Sequence, residues 1–179
     1  MAKRGGDNLT IRRLVRDDLA AVERAMPFGG TDKHAQRLRL QAAGEATYLV
    51  AWQGQRPVGH GFIQWRPTRS EYPQLSGLRD CPDLEDLMVL EEYRGRGIGT
   101  ALLTRSLALA RRRGFRRFGL SVGVTDNPRA RALYERMGFV NAGIEPYEEQ
   151  YDFVDAAGRP QRWREICVYL VKALDTRGR

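Results

Sequence analysis

Apolar residues recur along the chain with two different periods, and the change of period predicts the secondary structure. Runs typical of strands cover these segments: 9–15, 47–53, 58–65, 84–89, 118–124, 150–154 and 165–171, with a short strand at 139–144. Apolar residues spaced three and four apart, typical of helices, cover these segments: 16–26, 31–43, 100–113 and 127–137. Thr31 is the predicted N-cap of the second helix, and Asn127 that of the fourth.

Turn residues join four of the predicted strands into two hairpins. Residues 54–57 separate the first pair, and residues 155–160 separate the last pair. Between the hairpins the chain alternates strand and helix, which predicts an α/β (α+β) protein with a mixed sheet and helices on its faces. Residues 68–83 are polar and rich in turn formers, so they predict an irregular surface loop. We expect one domain over 1–179, with 1–8 as a flexible tail.

The composition limits the classes of protein to consider. The 179 residues are 42% hydrophobic and 29% charged, as in soluble globular proteins. The basic N-terminus lacks an apolar stretch behind it, and no apolar run could cross a membrane, so a cytoplasmic location is expected. Cys81 and Cys167 are predicted to be reduced, buried thiols. Because the only histidines are His34 and His60, a metal site is not expected.

The net charge of +8 is compatible with two kinds of partner. Nucleic acid is one, and an anionic cofactor is the other. The charge is spread along the chain, and no recognition helix or stacking-aromatic motif accompanies it. The sequence therefore does not favour nucleic-acid binding.

A strand, a glycine-rich loop and a helix occupy Leu84–Val89, Arg94–Gly99 and Thr100–Arg113. This order presents unpaired backbone N–H groups to a phosphate. The loop is not a P-loop, because no lysine follows its last glycine, and it is not a dinucleotide fingerprint, because the position that requires a glycine holds Thr100. A plain turn is the alternative.

The loop matches the pattern R-x-x-G-x-G/A, followed by small residues at a helix start. Downstream, residues 127–139 read Asn-Pro-x-x-Ala-x-x-x-Tyr-x-x-x-Gly-Phe. With these two segments in this order, the chain resembles the GNAT (Gcn5-related N-acetyltransferase) superfamily over nearly its whole length. The resemblance implies a central mixed, mostly antiparallel sheet of six to seven strands, flanked by about four helices. It also implies that acetyl is transferred from acetyl-CoA to an amine.

The loop itself predicts where the cofactor's pyrophosphate binds. It would lie over the N–H groups of 96–100, where the helix N-terminus favours an anion, and Arg94 or Arg96 would add a charged contact. The resemblance implies further that the pantetheine arm lies along 87–89, as an added strand, and contacts Asn127. The predicted cofactor-binding residues are Leu87, Met88, Val89, Arg94, Gly95, Arg96, Gly97, Ile98, Gly99, Thr100, Asn127 and Ala130.

An amine with a pKa of about 10.4 is protonated at neutral pH, so the reaction needs a base. Glu85 is the predicted base and Asp86 is the alternative, since strand alternation places the two on opposite faces and leaves one of them facing solvent. The resemblance agrees, since polyamine-type members carry a Glu-Asp pair before the loop. Tyr134 lies on its helix's apolar stripe, which is compatible with packing alone. The resemblance makes it the acid that protonates the leaving thiolate.

The acceptor is not identified by the sequence. His60 is predicted to be structural. An acidic patch would favour a cationic acceptor if it lines the cleft; its members are Glu145, Glu148, Glu149, Asp152 and Asp155. The expected function is transfer of acetyl to a primary amine, directly in a ternary complex. The alternative is a CoA-binding regulatory module without activity, and a homodimer is compatible with either.

Overall fold

The computed structural model describes residues 8–28, 31–67, 72–125, 127–155 and 157–175. Residues 1–7 of the predicted tail (1–8) and residues 68–71 of the predicted loop (68–83) lie outside the described residues. The strands are β1 Leu9–Arg13, β2 Ala46–Gln53, β3 Arg56–Gln64, β4 Asp83–Val89, β5 Arg117–Gly123, β6 Val140–Asn141, β7 Tyr147–Val154 and β8 Pro160–Ala173. The helices are α1 Leu19–Ala25, α2 Lys33–Ala42, α3 Ile98–Arg112 and α4 Pro128–Arg136.

The strands form one mixed sheet in the order β1-β2-β3-β4-β5-β8-β6, and β7 pairs with β8. All pairs are antiparallel except β4 with β5, which is parallel. The predicted fold class and both predicted hairpins are confirmed, but the sheet has eight strands instead of six or seven. No helix among the described residues is long and apolar enough to cross a membrane.

Apolar side chains cover both faces of the sheet. One face packs against α3, whose buried stripe includes the predicted Leu103, Leu107 and Ala110. The opposite face carries two clusters. One lies between α1, β2 and β3 around Tyr48 and Phe62, and the other lies under the segment before β4 and around β8. Both faces of the central strands are therefore excluded from water, whereas the outer half of the β7–β8 hairpin is exposed.

Three local predictions are wrong. The first helix begins with a 3-10 turn over Arg16–Asp18, and the α-helix starts only at Leu19. The N-cap of α2 is Asp32, since Thr31 instead donates its hydroxyl to the carbonyl of Phe28 at 2.9 Å. The described end of the predicted surface loop, from residue 72 on, is not irregular. It forms a 3-10 helix over Pro73–Leu78.

This 3-10 segment is packed rather than exposed. Leu75, Leu78 and Cys81 are all buried and meet Tyr147 and Tyr169. Periodicity could not show this, because three apolar residues spread among turn formers do not match either the helix or the strand template. Both cysteines are free and buried, as predicted.

Candidate active site

β4 pairs with its parallel neighbour β5 only at the first residue of β4. Within the described residues the two strands are joined by a single register pair, Asp83 with Gly119, and β4 continues beside β3 as far as Val89. Residues 87–89 therefore border an opening in the sheet, and their backbone N–H and C=O groups on that side are available to a ligand. Beyond its first residue, β4 is therefore splayed from β5.

The glycine-rich loop follows directly, after a 3-10 turn over Glu91–Tyr93. Gly95 and Gly97 have φ angles of 76° and 79°, a left-handed region that other residues enter only with strain. Gly97 is the N-cap of α3, and no side chain caps this helix. The helix begins at Ile98, two residues earlier than predicted, so its first N–H groups belong to the loop itself.

The loop's two arginines are exposed and turn toward nearby carbonyls. Arg94 donates from Nε to the carbonyl of Val89 at 3.1 Å, and Arg96 donates from Nη2 to that of Glu92 at 2.9 Å. Arg96 also lies 5.1 Å from the ring centroid of Tyr93. Both guanidinium groups thus stay within reach of the start of α3, where an anion would sit.

Tyr134, the predicted acid, lies on α4. Asn127 caps that helix as predicted, accepting at 3.1 Å from the N–H of Ala130. Tyr134 is 7% exposed and packs beside Phe139. Burial, and then the charge of Asp86, raise the pKa of Tyr134 to about 12. Its phenol therefore keeps its proton at neutral pH and can donate it.

The predicted separation of Glu85 from Asp86 is wrong. The register between β3 and β4 shifts at this point: Phe62 faces Asp86, and the next residue, Ile63, faces Leu84. Glu85 is the extra residue of a β-bulge, which interrupts strand alternation. Both carboxylates consequently lie on one face, the one that α2 covers.

A single arginine contacts both carboxylates. Arg37 of α2 places Nη2 2.8 Å from Oδ2 of Asp86 and 3.5 Å from Oε1 of Glu85. The other oxygen of Glu85 accepts from the side-chain amide of Gln64. Burial disfavours the charged form of Asp86, but His60, once protonated at acid pH, and Arg37 outweigh it and hold the pKa of Asp86 below its usual range.

Sequence reasoning missed Arg37 and its surroundings. A signal was present, because the buried side of α2 carries His34, Arg37 and Gln41, three polar residues at helical spacing. A polar stripe on a buried helix face indicates a polar network beneath it. Gln41 bonds the backbone of Leu14 and Tyr48, so part of that stripe is structural.

The two histidines also belong to this network. His34 bonds the hydroxyl of Tyr48 and the carbonyl of Met26, both at 2.7 Å. His60 is fully buried, and its ring nitrogens have no hydrogen-bond partner among the described residues. Burial above all lowers the pKa of His60 to about 4, so the ring is neutral at pH 7. Among the described residues, no three His, Cys, Asp or Glu side chains converge to hold a metal ion.

Four of the five carboxylates of the acidic patch fall into two groups, and Glu145 is exposed just before β7. Glu148, Asp152 and Asp155 each pair with an arginine, namely Arg164, Arg162 and Arg159. Glu149 instead lies opposite Glu165 in the β7–β8 register, and neither forms an ion pair with a described residue. Glu165 contacts the thiol of Cys167 at 3.4 Å and stands over Gly123, at the end of β5. Glu165 therefore lies at the end of β5, which borders the opening, whereas Glu148, Asp152 and Asp155 are engaged by arginines.

Comparison with known proteins identifies the family. The profile of the acetyltransferase (GNAT) family matches residues 16–139, which is more than half of the chain. The chain is 41% identical over 143 residues to an uncharacterized N-acetyltransferase of Methanocaldococcus jannaschii, covering 73% of this chain and 60% of that protein. It is 33% identical over 115 residues to a mycothiol acetyltransferase of Geodermatophilus obscurus, covering 62% of this chain and 35% of that protein. The chain thus spans less than two thirds of the length of either relative.

Solved structures agree on the fold. An N-acetyltransferase from Thermoplasma acidophilum in complex with coenzyme A matches with a TM-score of 0.63 and 15% identity, over 93% of this chain and 99% of the other. At this identity the match concerns the fold alone. The family profile, which covers the splayed strand, the loop and α4, is decisive. The chain belongs to the acetyltransferase (GNAT) family.

Proposed function

We propose that the chain is a single-domain, acetyl-CoA-dependent N-acetyltransferase acting on a primary amine. The observation that carries this proposal is the bulge of β4, which presents two carboxylates beside the opening between β4 and β5. The same strand runs on into an uncapped helix N-terminus after the left-handed Gly97. A base and an anion-binding loop thus adjoin one opening in the sheet.

The loop and the splayed strand suit a CoA thioester. The first N–H groups of α3, with Arg94 and Arg96, offer donors and positive charge to a pyrophosphate. The backbone of 87–89 offers hydrogen bonds to an extended arm, and an N–H there would stabilise the oxyanion of the tetrahedral intermediate. The thioester supplies the acyl group, and every proton must be moved by this chain's own residues or by water.

Two side chains are proposed to move those protons. Glu85 takes a proton from the acceptor's ammonium, directly or through water, so that the free amine attacks the thioester carbonyl. The carbon–sulfur bond then breaks, and Tyr134 donates its phenolic proton to the thiolate. The nitrogen of the tetrahedral intermediate loses its second proton to water as the carbon–sulfur bond breaks. Solvent then reprotonates the phenolate of Tyr134 and takes the proton from Glu85, so that the sum is the amide, the CoA thiol and one released proton. No covalent acyl-enzyme is needed, which fits direct transfer in a ternary complex.

The charges near the opening support an amine acceptor. Glu149 and Glu165 are the carboxylates of the β7–β8 hairpin that form no ion pair among the described residues. Carboxylates without counter-charges favour a cationic ligand.

Glu85→Gln and Tyr134→Phe variants test the proposed roles of these two side chains: turnover should fall in both while the Kd for CoA stays unchanged. Unchanged turnover in both variants would contradict the assignments.

A further inference from the structure

Arg37 is held in place more completely than an ordinary surface arginine. Its side chain is 3% exposed. The guanidinium carbon lies 4.7, 4.9 and 5.4 Å from the ring centroids of Phe62, Phe28 and Tyr48. Aromatic faces attract a cation, and three of them leave the guanidinium little freedom to rotate. Arg37 is therefore a fixed positive charge under α2.

Only one of its nitrogens is used for ion pairing. Nη2 contacts Asp86 and Glu85, whereas Nε and Nη1 are buried and have no hydrogen-bond partner among the described residues. A buried charge with unpaired donors costs free energy, and apolar residues often replace such a charge without loss of stability. Packing alone therefore does not account for an arginine at this position.

The β-bulge of β4 explains why an arginine is needed at position 37. It places two carboxylates from consecutive residues on one face, where like charges raise the pKa of one member of a pair. Arg37 lies closer to Asp86 by 0.7 Å, and Asp86 is also the less exposed side chain, at 27% against 38% for Glu85. The arginine therefore compensates mainly Asp86, and Glu85 keeps more contact with solvent.

We propose that Arg37 is a positioning residue that divides the two carboxylates of the bulge between two roles. Its guanidinium fixes Asp86 as a permanent anion, and Glu85 is left to exchange protons with the acceptor. This inference rests on the proposed function. The other titratable or charged groups around the pair, on α2, β2, β3, α4 and β7, are Lys33, His34, Tyr48, His60, Tyr134 and Tyr151.

The test compares the pH dependence of kcat/KM in matched variants. In Arg37→Met, the uncompensated Asp86 should raise the apparent pKa of the pair and move the acid limb upward by about one to three pH units. In Arg37→Met/Asp86→Asn, both charges are removed and the limb should return toward its wild-type position. Arg39→Met, on the exposed side of the same helix, should leave the limb unchanged.

A purely structural role predicts a different pattern. In that case Arg37→Met would lower the melting temperature and kcat without moving the acid limb, and the double variant would not restore it. That pattern would overturn the proposal. If Arg37→Met does not fold, the double variant and Arg37→Lys can still be measured. The double variant removes the charge of Asp86 together with that of Arg37, and Arg37→Lys keeps a positive charge beside Asp86.

Carboxyl-detected NMR titration separates this proposal from the proposed function. In the wild type, Asp86 should titrate below the usual aspartate range, and Arg37→Met should raise its midpoint while Arg39→Met does not. Absence of acetyl transfer in the wild type with these shifts present would refute the proposed function alone. The role of Arg37 would be refuted if the NMR midpoint of Asp86 did not change in Arg37→Met. It would also be refuted if the acid limb of the kcat/KM profile had the same midpoint as the titration of Asp86.

Discussion

Asp83 and Gly119 form the single register pair that holds β4 against β5 within the described residues. The pair is tightly packed, because the ring of Tyr169 covers Gly119 at the place where a Cβ would stand. Gly119→Ala should therefore overpack this junction and lower the free energy of unfolding by about 1–3 kcal/mol. Denaturant unfolding measures the change.

Gly77→Ala is the matched control for this substitution. Gly77 lies in the 3-10 segment, where an added Cβ would meet nothing within 4 Å. Its free energy of unfolding should change by no more than about 0.5 kcal/mol. Equal losses in the two variants would show that Tyr169 does not restrict the junction.

Gly97 allows a direct test of the anion-binding loop. Gly97→Ala forces a side chain into the left-handed region, at a cost of about 1–2 kcal/mol, and should also displace the first N–H groups of α3. We expect weaker CoA binding by calorimetry, together with lower stability. Gly114→Ala, at the other end of α3 with a φ of 82°, carries the same strain away from the loop. It should lose stability and keep its affinity for CoA. Similar affinities in the two variants would refute the loop's role.

Tyr134→Phe should lower kcat by about 10²–10⁴-fold, the range for loss of a general acid. Because the pKa of Tyr134 is raised to about 12, no alkaline limb from this phenol is expected in the wild type below about pH 10. Tyr93→Phe removes the hydroxyl from a half-buried ring beside the loop and serves as the control. A kcat as low in Tyr93→Phe as in Tyr134→Phe would contradict the specific role of Tyr134.

Two buried tyrosines should make the stability of the fold depend on pH in the alkaline range. Burial raises the pKa of Tyr48 and Tyr134 to about 12 each. In the unfolded chain both phenols lose their protons near pH 10, while the folded protein retains them. Stability is therefore fully present below pH 10 and decreases as the pH rises toward 12. Thermal melts of Tyr134→Phe should show a shallower decrease, and a decrease as steep as that of the wild type would exclude a contribution from Tyr134.

Glu165 tests whether the acceptor is cationic. Glu165→Gln should raise the acceptor KM and leave the KM for acetyl-CoA unchanged, since Glu165 stands over Gly123 beside the opening. Glu148→Gln is the control, because Glu148 pairs with Arg164 on the other face of the hairpin. Steady-state kinetics with a diamine and a monoamine would show a larger effect for the diamine. Equal effects of the two substitutions would remove Glu165 from the acceptor site.

The sequence predicted the local features of the site better than its three-dimensional assembly. The loop, the cap at Asn127 and the buried stripe of Tyr134 depend on neighbouring residues, and those patterns can be read along the chain. The bulge at Glu85 could not be predicted in this way. It depends on the register against β3, which a single strand's pattern does not specify. The polar stripe of α2 could have pointed to Arg37, but not to its partners, which are 48 and 49 positions away.

One measurement tests the central claim most directly. Purified protein is incubated with acetyl-CoA and a broad panel of amines and peptides, and released CoA and acetylated products are followed together by mass spectrometry. CoA should be released only when an acceptor is present, in an amount equal to that of the N-acetylated product. Glu85→Gln should lower both the release of CoA and the formation of the product. Tight binding of CoA without acceptor-dependent release would contradict the central claim, and would indicate a regulatory module instead.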